Sequence, residues 1–547
     1  MNVLFIARHF TYVRNVESVI AGLAARGHRV HLAADREESF GGRELVDRLA
    51  AQFPDRVTVG FTPILQWGRY RRLAGALRLG LDYLRYSDPR YETTPRIRDR
   101  AYERTPFLIL LLARLPCRNA VTRALERLEQ AVPRQAGVDE FVVGHRPDVV
   151  LITPLIELGS PQLDYVRAAR AHGIPSALCV WSWDHLSSKA LIRVVPDAVI
   201  VWNDVQREEA ERFHGIAPDR VVVTGAQCFD QWFDRQPARS RDTFCTHVGL
   251  PTDRPFVLYV CSALFRNSPS EASFVRDWIA ALRRSSDPRV RTLPILVRPH
   301  PQRLDEWQSS PDLRDQYDDV VVWGSNPIDQ ASRADYFDSM YYSAAVVGLN
   351  TSALVEAAIV DRPVCTILLP EFRDNQEGTF HFHHLLTVGD GFLNTARTLD
   401  EHARQLGALL SDGAGRSNRR FVEQFIRPRG THVAATPVFI ESLERLAVTA
   451  LPAPQRTSRW ALLLRPVVYA LVLAGRVSWL ERLYWNPVKR RQWAENVRAI
   501  EQKGVERQSK RIEKVSRVAG KVPQQALTRI KTAAKQALDA AGLIRHT

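Results

Sequence analysis

Long hydrophobic runs are scarce in this 547-residue chain, and the scarcity excludes a good deal. No uninterrupted apolar stretch reaches the ~20 residues that a membrane-spanning helix needs. The opening run, MNVLFIAR, is too short for a signal peptide and lacks a basic segment before it. It reads as a first buried strand. Cysteine is sparse too. The six (Cys117, Cys179, Cys228, Cys245, Cys261, Cys365) are scattered, with no CxxC pair and no metal-ligand spacing, and most fall in apolar stretches. The expectation is buried, reduced thiols in a cytosolic chain. The glycine fingerprint GxGxxG is absent, which counts against NAD(P) chemistry. No internal repeat or low-complexity tract stands out. What remains is an ordinary globular composition, 45% hydrophobic and 25% charged, long enough for about two to four domains.

The formal charge of +15 is unevenly placed. Residues 456–547 carry about +14 and the Arg-rich stretch 69–134 about +8, so the rest is mildly acidic. Two local surfaces are therefore expected to be basic. Nucleic acid, anionic lipid and acidic ligands all suit such surfaces, and charge alone does not choose among them.

Short β-rich runs alternate with helical patterns through the first half. NVLFIA, HRVHLAA, RVTVGF, DVVLIT, PSALCVW, DAVIVW and RVVVTG read as strands, and Val13–Gly27 as a helix stopped by Gly27. A polar connection, Asp234–Arg254, follows. The pattern then restarts with PFVLYVCSAL, a helix around Glu271–Arg284, LPILVRPHP, DVVVW, AAVVGL and VCTILL. This predicts an α/β chain of two Rossmann-like domains facing across a cleft. The first spans 1–235 with an insertion at 67–133, the second spans 255–445, and a basic, partly apolar helical tail spans 456–547. In such sheets ligands sit at the carboxyl ends of the strands, so chemistry is expected in the loops that follow them.

Two of those loops stand out. In GLNTSALVEAAIV, Asn350, Thr351 and Ser352 fall at the start of a helix, where exposed N–H groups favour an anion. Ser352 and Glu356 are four apart and share a face, an arrangement suited to a phosphate and a ribose diol. A plain helix cap with a solvated Glu is the alternative. In VRPHP, Arg298 and His300 end a strand in a Pro-framed loop, and both side chains donate to phosphate oxygens. The alternative there is a surface Arg.

These motifs carry a resemblance. A strand ending RPHP, then hydroxyl residues, Glu356 and RPV, resembles the C-terminal domain of the glycosyltransferase-B (GT-B) superfamily. More narrowly it resembles the UDP-N-acetylglucosamine 2-epimerase, CDP-glycerol glycerophosphotransferase and capsule glycosyltransferase group. VVVTGAQCFDQW resembles the TG-x-x-x-D segment that closes the N-terminal domain there. The opening strand, RHFTYVRN and RGHRV resemble nucleotide-sugar transferases in which a His after the first strand is the base. The resemblance spans about residues 1–445.

It implies that Thr351 and Ser352 contact a donor pyrophosphate and that Glu356 holds the ribose. It places Arg298 and His300 at the border of the phosphate or nucleotide, with Ser262 and Arg266 of the CSALFRN loop closing on the phosphates. That loop departs from the pattern expected there in having no glycine, the residue that permits close backbone approach to phosphate. For the base, His9 is favoured over Asp184 of WSWDHLSSK. No metal or other cofactor need be invoked, because Arg298 and a helix N-terminus suit a leaving diphosphate. The run FHFHH (Phe380–His384) invites a zinc reading, but adjacent His side chains diverge on any regular element, and a loop beside the donor or a plain loop is expected instead.

Trp460, Trp479, Tyr484, Trp485 and Trp493 beside Arg and Lys suit a lipid surface. The apolar patch Thr105–Pro116 suits a lipid-linked acceptor. The alternatives are a solvated helix, or non-specific nucleic-acid contact. The expectation is a cytoplasmic enzyme, peripheral at the inner membrane face. It would move a sugar or polyol phosphate from a nucleotide-activated donor to a cell-envelope glycan or lipid-linked acceptor. A nucleotide-sugar 2-epimerase and a non-catalytic nucleotide-sugar-binding scaffold are the rivals.

Overall fold

The computed structural model describes residues 1–36, 41–63, 70–265, 267–308, 313–412, 415–449 and 458–475. Two all-parallel sheets organise it. The first runs β3-β2-β1-β4-β5-β6-β7, with β1 Asn2–Ala7, β2 Arg29–Ala34, β3 Val57–Phe61, β4 Val149–Thr153, β5 Ser176–Cys179, β6 Ala198–Val201 and β7 Val221–Val223. The second runs β10-β9-β8-β11-β12-β13, with β8 Val257–Val260, β9 Ile295–Arg298, β10 Val320–Val322, β11 Ala345–Val347, β12 Val364–Ile367 and β13 Leu393–Ala396.

Most strands are short apolar runs because helices cover both faces of a parallel sheet. β4, β5, β6 and β8 are buried at every position. Each of the twelve strands expected from sequence lies inside its apolar run, and β13 was not expected. In both sheets the order reverses beside the first strand, between β1 and β4 and between β8 and β11. These are the crevices where such folds bind ligands. Gly348 marks the second crevice, since a Cβ there would stand 2.8 Å from the Val260 carbonyl oxygen.

The chain does not divide by packing where it divides by sequence. The helix Ala435–Val448 returns to the first domain and places Phe439, Ile440 and Leu443 in the core with Val19, Ile20 and Leu23. The insertion folds into the helices Arg71–Arg85, Pro95–Tyr102, Phe107–Leu112 and Arg118–Ala131. The start of the tail, helix Arg459–Ala474, closes over them with Ala461, Val468 and Val472. The rest of the expected tail, with Trp479, Tyr484, Trp485 and Trp493, lies outside the described residues. No helix among the described residues is long and apolar enough to cross a membrane.

The Arg-rich insertion is not simply a basic surface. Arg78 is 1% exposed and donates to Glu129 Oε1 at 3.0 Å, Asp164 Oδ1 at 2.8 Å and the Ser160 carbonyl at 3.1 Å. Burial opposes its charge, and the Asp164 and Glu129 carboxylates overcome that and raise its pKa. Part of the insertion's positive charge therefore pins helices together.

Candidate active site

A cavity of about 490 Å³ opens at the carboxyl edges of both sheets. Its walls come from the loops after β1 (His9, Tyr12, Arg14), β5 (Trp181, Trp183) and β6 (Trp202), and after β9 (Arg298, His300), β10 (Ser325) and β11 (Thr351, Ser352, Glu356). The volume suits a small-molecule ligand. Its charged lining is Arg14, Arg235, Arg298 and Arg333 against the single carboxylate Glu356. Among the described residues only Arg333 of these four has a carboxylate within ion-pair distance, Glu17 at 3.1 Å. The lining is thus net positive, a charge that suits an anion.

Arg298 is the centre of the cradle. It ends β9 and is 5% exposed. Its guanidinium lies over the rings of Trp323 (5.4 Å) and Tyr336 (5.1 Å), and Nη2 donates to the Ser325 carbonyl at 3.3 Å. Nη1 is buried and has no hydrogen-bond partner. Gly324, at φ +123°, lets the chain pass this close, since a Cβ there would stand 2.5 Å from Arg298 Cζ. Burial lowers the Arg298 pKa, so the folded chain holds this charge at a cost.

His300 is fixed by the Pro-framed loop. Its Nδ1 accepts from the Gln302 backbone N–H at 3.2 Å. Burial first, and then Arg14 and Arg303, push its pKa down to about 4, so the ring is neutral near pH 7. With Nδ1 accepting, the proton sits on Nε2, and His300 serves as a neutral donor.

The opening motif divides in two. Thr351 caps the helix Ser352–Ile359, its Oγ1 accepting from the Ala353 N–H at 3.4 Å. Ser352 is exposed at the first helical position and lines the cavity. Glu356 also lines it and accepts a hydrogen bond from the Tyr336 hydroxyl. Burial raises the Glu356 pKa, while the Tyr336 hydrogen bond and the Arg14 charge oppose the rise. Glu356 is therefore not a solvated surface carboxylate.

Ser262 and Asn350 line none of the cavity. Ser262 is fully buried, accepts from the Asn350 N–H at 3.1 Å and donates its own N–H to Glu271 at 2.6 Å. The Asn350 amide donates to the Asn375 carbonyl. Both residues tie the loop after β8 to the loop after β11. Arg266 lies outside the described residues.

Of the two candidate bases, His9 lines the cavity, its ring 4.5 Å from that of Tyr12. Asp184 is absent from the lining and pairs with Lys189 at 2.9 Å. Burial opposes its ionisation, but Lys189 and His381 hold its pKa well below the usual carboxylate range, which makes it a weak base. The FHFHH run is a helix, Phe380–Thr387, and not the loop expected. Its histidines diverge: His381 Nε2 lies 3.3 Å from the Asn350 amide, His383 meets the Glu377 carbonyl and His384 meets Glu209.

Sequence reasoning missed Arg14 and Tyr336. Arg14 is exposed on the turn after β1, and its charge acts on His300, Tyr336 and Glu356 of the other domain. Tyr336, on the helix Gln330–Tyr341, joins Arg298 to Glu356. RHFTYVRN already held Arg14, but no local pattern marks an arginine that faces another domain.

No family model matches the sequence, and no curated protein matches it. Solved structures do resemble it. Anabaena HepE, in complex with UDP and glucose, is 13% identical with a TM-score of 0.45, over 81% of this chain and 100% of that one. The UDP-GlcNAc 2-epimerase of Neisseria meningitidis, bound to UDP-GlcNAc, is 12% identical with a TM-score of 0.46, over 81% and 100%. A glycosyltransferase from Rickettsia africae is 10% identical with a TM-score of 0.47, over 82% and 99%. At these values the likeness decides no activity and assigns no residue a role. The twin parallel sheets themselves have the two-domain architecture that the sequence's resemblance to the glycosyltransferase-B superfamily implies.

Proposed function

We propose that the cleft binds a nucleotide-activated sugar and that the chain transfers the sugar, or a related polyol phosphate, to a cell-envelope glycan or lipid-linked acceptor. The observation that carries this reading is the charge of the cavity: four arginines and one carboxylate at the carboxyl edges of two facing sheets. Arg298, Arg14, the His300 Nε2 proton and the exposed helix start at Ser352 meet the diphosphate. Glu356 meets the ribose diol. The aromatic wall of Tyr12, Trp181, Trp183 and Trp202 meets the base or the sugar.

With a nucleotide-sugar donor, an acceptor oxygen attacks the anomeric carbon. The bond to the diphosphate breaks and its electron pair leaves with the diphosphate, where the arginines stabilise the charge. The acceptor proton passes to His9, the cavity-lining base candidate.

A thermal-shift panel of UDP, CDP, GDP, dTDP and CMP on the wild type and on Glu356→Ala tests the reading. A ligand at a hundred times its Kd stabilises the folded state by about 2.7 kcal/mol. The expected result is a shift with one nucleoside diphosphate that Glu356→Ala abolishes. No shift with any nucleotide sinks the proposal. With a binding donor in hand, product analysis without acceptor separates the rivals. An epimerase interconverts the sugar and keeps it on the nucleotide, whereas a transferase awaits acceptor and a scaffold turns over nothing.

The lipid-facing part of the reading rests on exposed apolar side chains. Among the described residues, eleven of the sixteen exposed large hydrophobics lie on residues 102–115 and 460–473, including Leu111 at 50%, Leu463 at 68% and Trp460 at 73%. Such concentration marks an interaction surface. Deleting the tail would also remove Ala461, Val468 and Val472 from the insertion's core, so point substitutions are the cleaner test. Trp460→Ser with Leu463→Ser is expected to weaken sedimentation with anionic vesicles at least about tenfold, at ~1.5 kcal/mol or more per side chain lost from the interface. The melting temperature should stay within a few degrees. Undiminished sedimentation removes this surface from membrane contact.

A further inference from the structure

A second cavity, of about 800 Å³, lies away from the cleft, between the insertion helices, the tail helix Arg459–Ala474 and the first domain. It shares no lining residue with the first. Its lining carries Arg85, Arg90, Arg118, Arg134, Arg167, Arg170, Arg193 and Arg465, against Asp88, Glu126 and Glu129. Some of this charge is spent internally. Arg90 pairs with Asp88, Arg134 with Asp139, Arg167 with Glu129 and Asp164, and Arg193 with Asp82.

Four arginines have no carboxylate within ion-pair distance among the described residues. Arg85 donates to the Phe213 carbonyl at 3.0 Å, Arg118 to that of Ser87 at 3.0 Å and Arg170 to that of Val195. Arg465 comes from the tail helix, and its Nε is buried with no hydrogen-bond partner. Arg193, whose side chain is 9% exposed, also has an Nε with no partner. Unmatched buried donors in a roomy cationic cavity point to a ligand that brings both charge and acceptors.

We infer that this cavity binds a phosphate-bearing ligand, its phosphomonoester meeting Arg118, Arg465 and the Arg193 Nε. A carboxylate satisfies one guanidinium fork. A phosphomonoester offers three acceptor oxygens and close to two charges, and so engages several arginines at once. The site differs from the nucleotide cleft in place and lining, and it stands or falls independently of the function proposed there. Two sources offer this chemistry, a lipid headgroup and a soluble phosphate ester. The tail helix that supplies Ala461 and Arg465 to the cavity carries Trp460 and Leu463 exposed, which sets an apolar surface about one helix diameter away.

The test uses the full chain, the double variant Arg118→Gln/Arg465→Gln and the cleft variant Arg298→Gln. Each is titrated with sn-glycerol 3-phosphate by calorimetry. Each is also sedimented with phosphatidylcholine vesicles with and without phosphatidic acid. Each charge-assisted hydrogen bond lost corresponds to about tenfold in affinity. If glycerol phosphate binds the wild type and Arg298→Gln alike, and the double variant at least tenfold more weakly, the soluble ester is the source. If only phosphatidic acid vesicles show that pattern, the lipid headgroup is the source. The inference fails if the wild type binds neither probe. It also fails if the double variant binds as the wild type does, or if Arg298→Gln rather than the double variant loses binding. Arg118→Gln alone, at an exposed position, serves if the double variant folds poorly, and the same comparisons apply.

Discussion

Arg298→Gln is expected to raise the Kd for the cleft's nucleotide about a hundredfold while leaving the folded protein as stable as before, or more so. The two effects have one cause. Arg298 is buried, has no carboxylate partner among the described residues, and its buried Nη1 has no hydrogen-bond partner in the protein. Burial lowers its pKa, so folding works against the charge. A neutral glutamine removes that penalty. It also removes a bidentate, charge-assisted donor, worth about 1.5–3 kcal/mol for each hydrogen bond to a diphosphate oxygen. A residue held at a cost for its ligand shows this opposition of stability and binding. Melting curves with and without nucleotide read both quantities in one experiment. A variant that lost stability but kept its affinity would make Arg298 a structural residue and move the phosphate elsewhere.

Arg78→Ala is expected to destabilise the protein by about 3–5 kcal/mol, the usual result of removing one partner from a buried ion pair. The arginine joins three segments that are far apart in sequence: its own helix, Glu129 of the helix Arg118–Ala131, and Asp164 with Ser160 of the first domain. Removing it takes one of two arginine partners from each carboxylate and leaves both to Arg167, at 2.5 Å from Glu129 and 3.4 Å from Asp164. Glu129 is the more exposed to this loss. Its burial would raise its pKa, yet Arg167 and Arg78 hold it down to about 2. Glu129→Ala alone should also be costly, and Arg78→Ala/Glu129→Ala should cost clearly less than the sum, because the two side chains share one ion pair that either change already removes. Urea midpoints at neutral pH measure all three. Additive losses would show that the two side chains do not act as a pair.

The strands were legible because their signal is local. A short apolar run between turn residues has few alternatives to a buried parallel strand, and twelve of the thirteen strands have that form. The one missed, β13, reads LNTA, and its Asn394 and Thr395 break the apolar run. The helix Phe380–Thr387 was hidden for a similar reason. FHFHHLLT has no apolar face set off by a polar one, and its order comes from three separate partners for its histidines. At the site, the motifs named loops that line the cavity. They did not separate Ser352 and Glu356, which line the cleft, from Asn350 beside them and Ser262 in the loop after β8, which bond to each other.

By itself the sequence determined the α/β class, the two domains, and the strand ends at which polar residues gather. These follow from hydrogen-bond demand and burial within segments of a few residues. Only the tertiary structure decided which of those residues face the cleft, that the charge of Arg14 acts on Glu356 of the other domain, and that Arg78 is a buried pin while Arg118 and Arg465 line a second cavity. The physical reason is that a side chain's charge state and direction are set by whatever packs against it. Here those neighbours lie tens to hundreds of residues away along the chain.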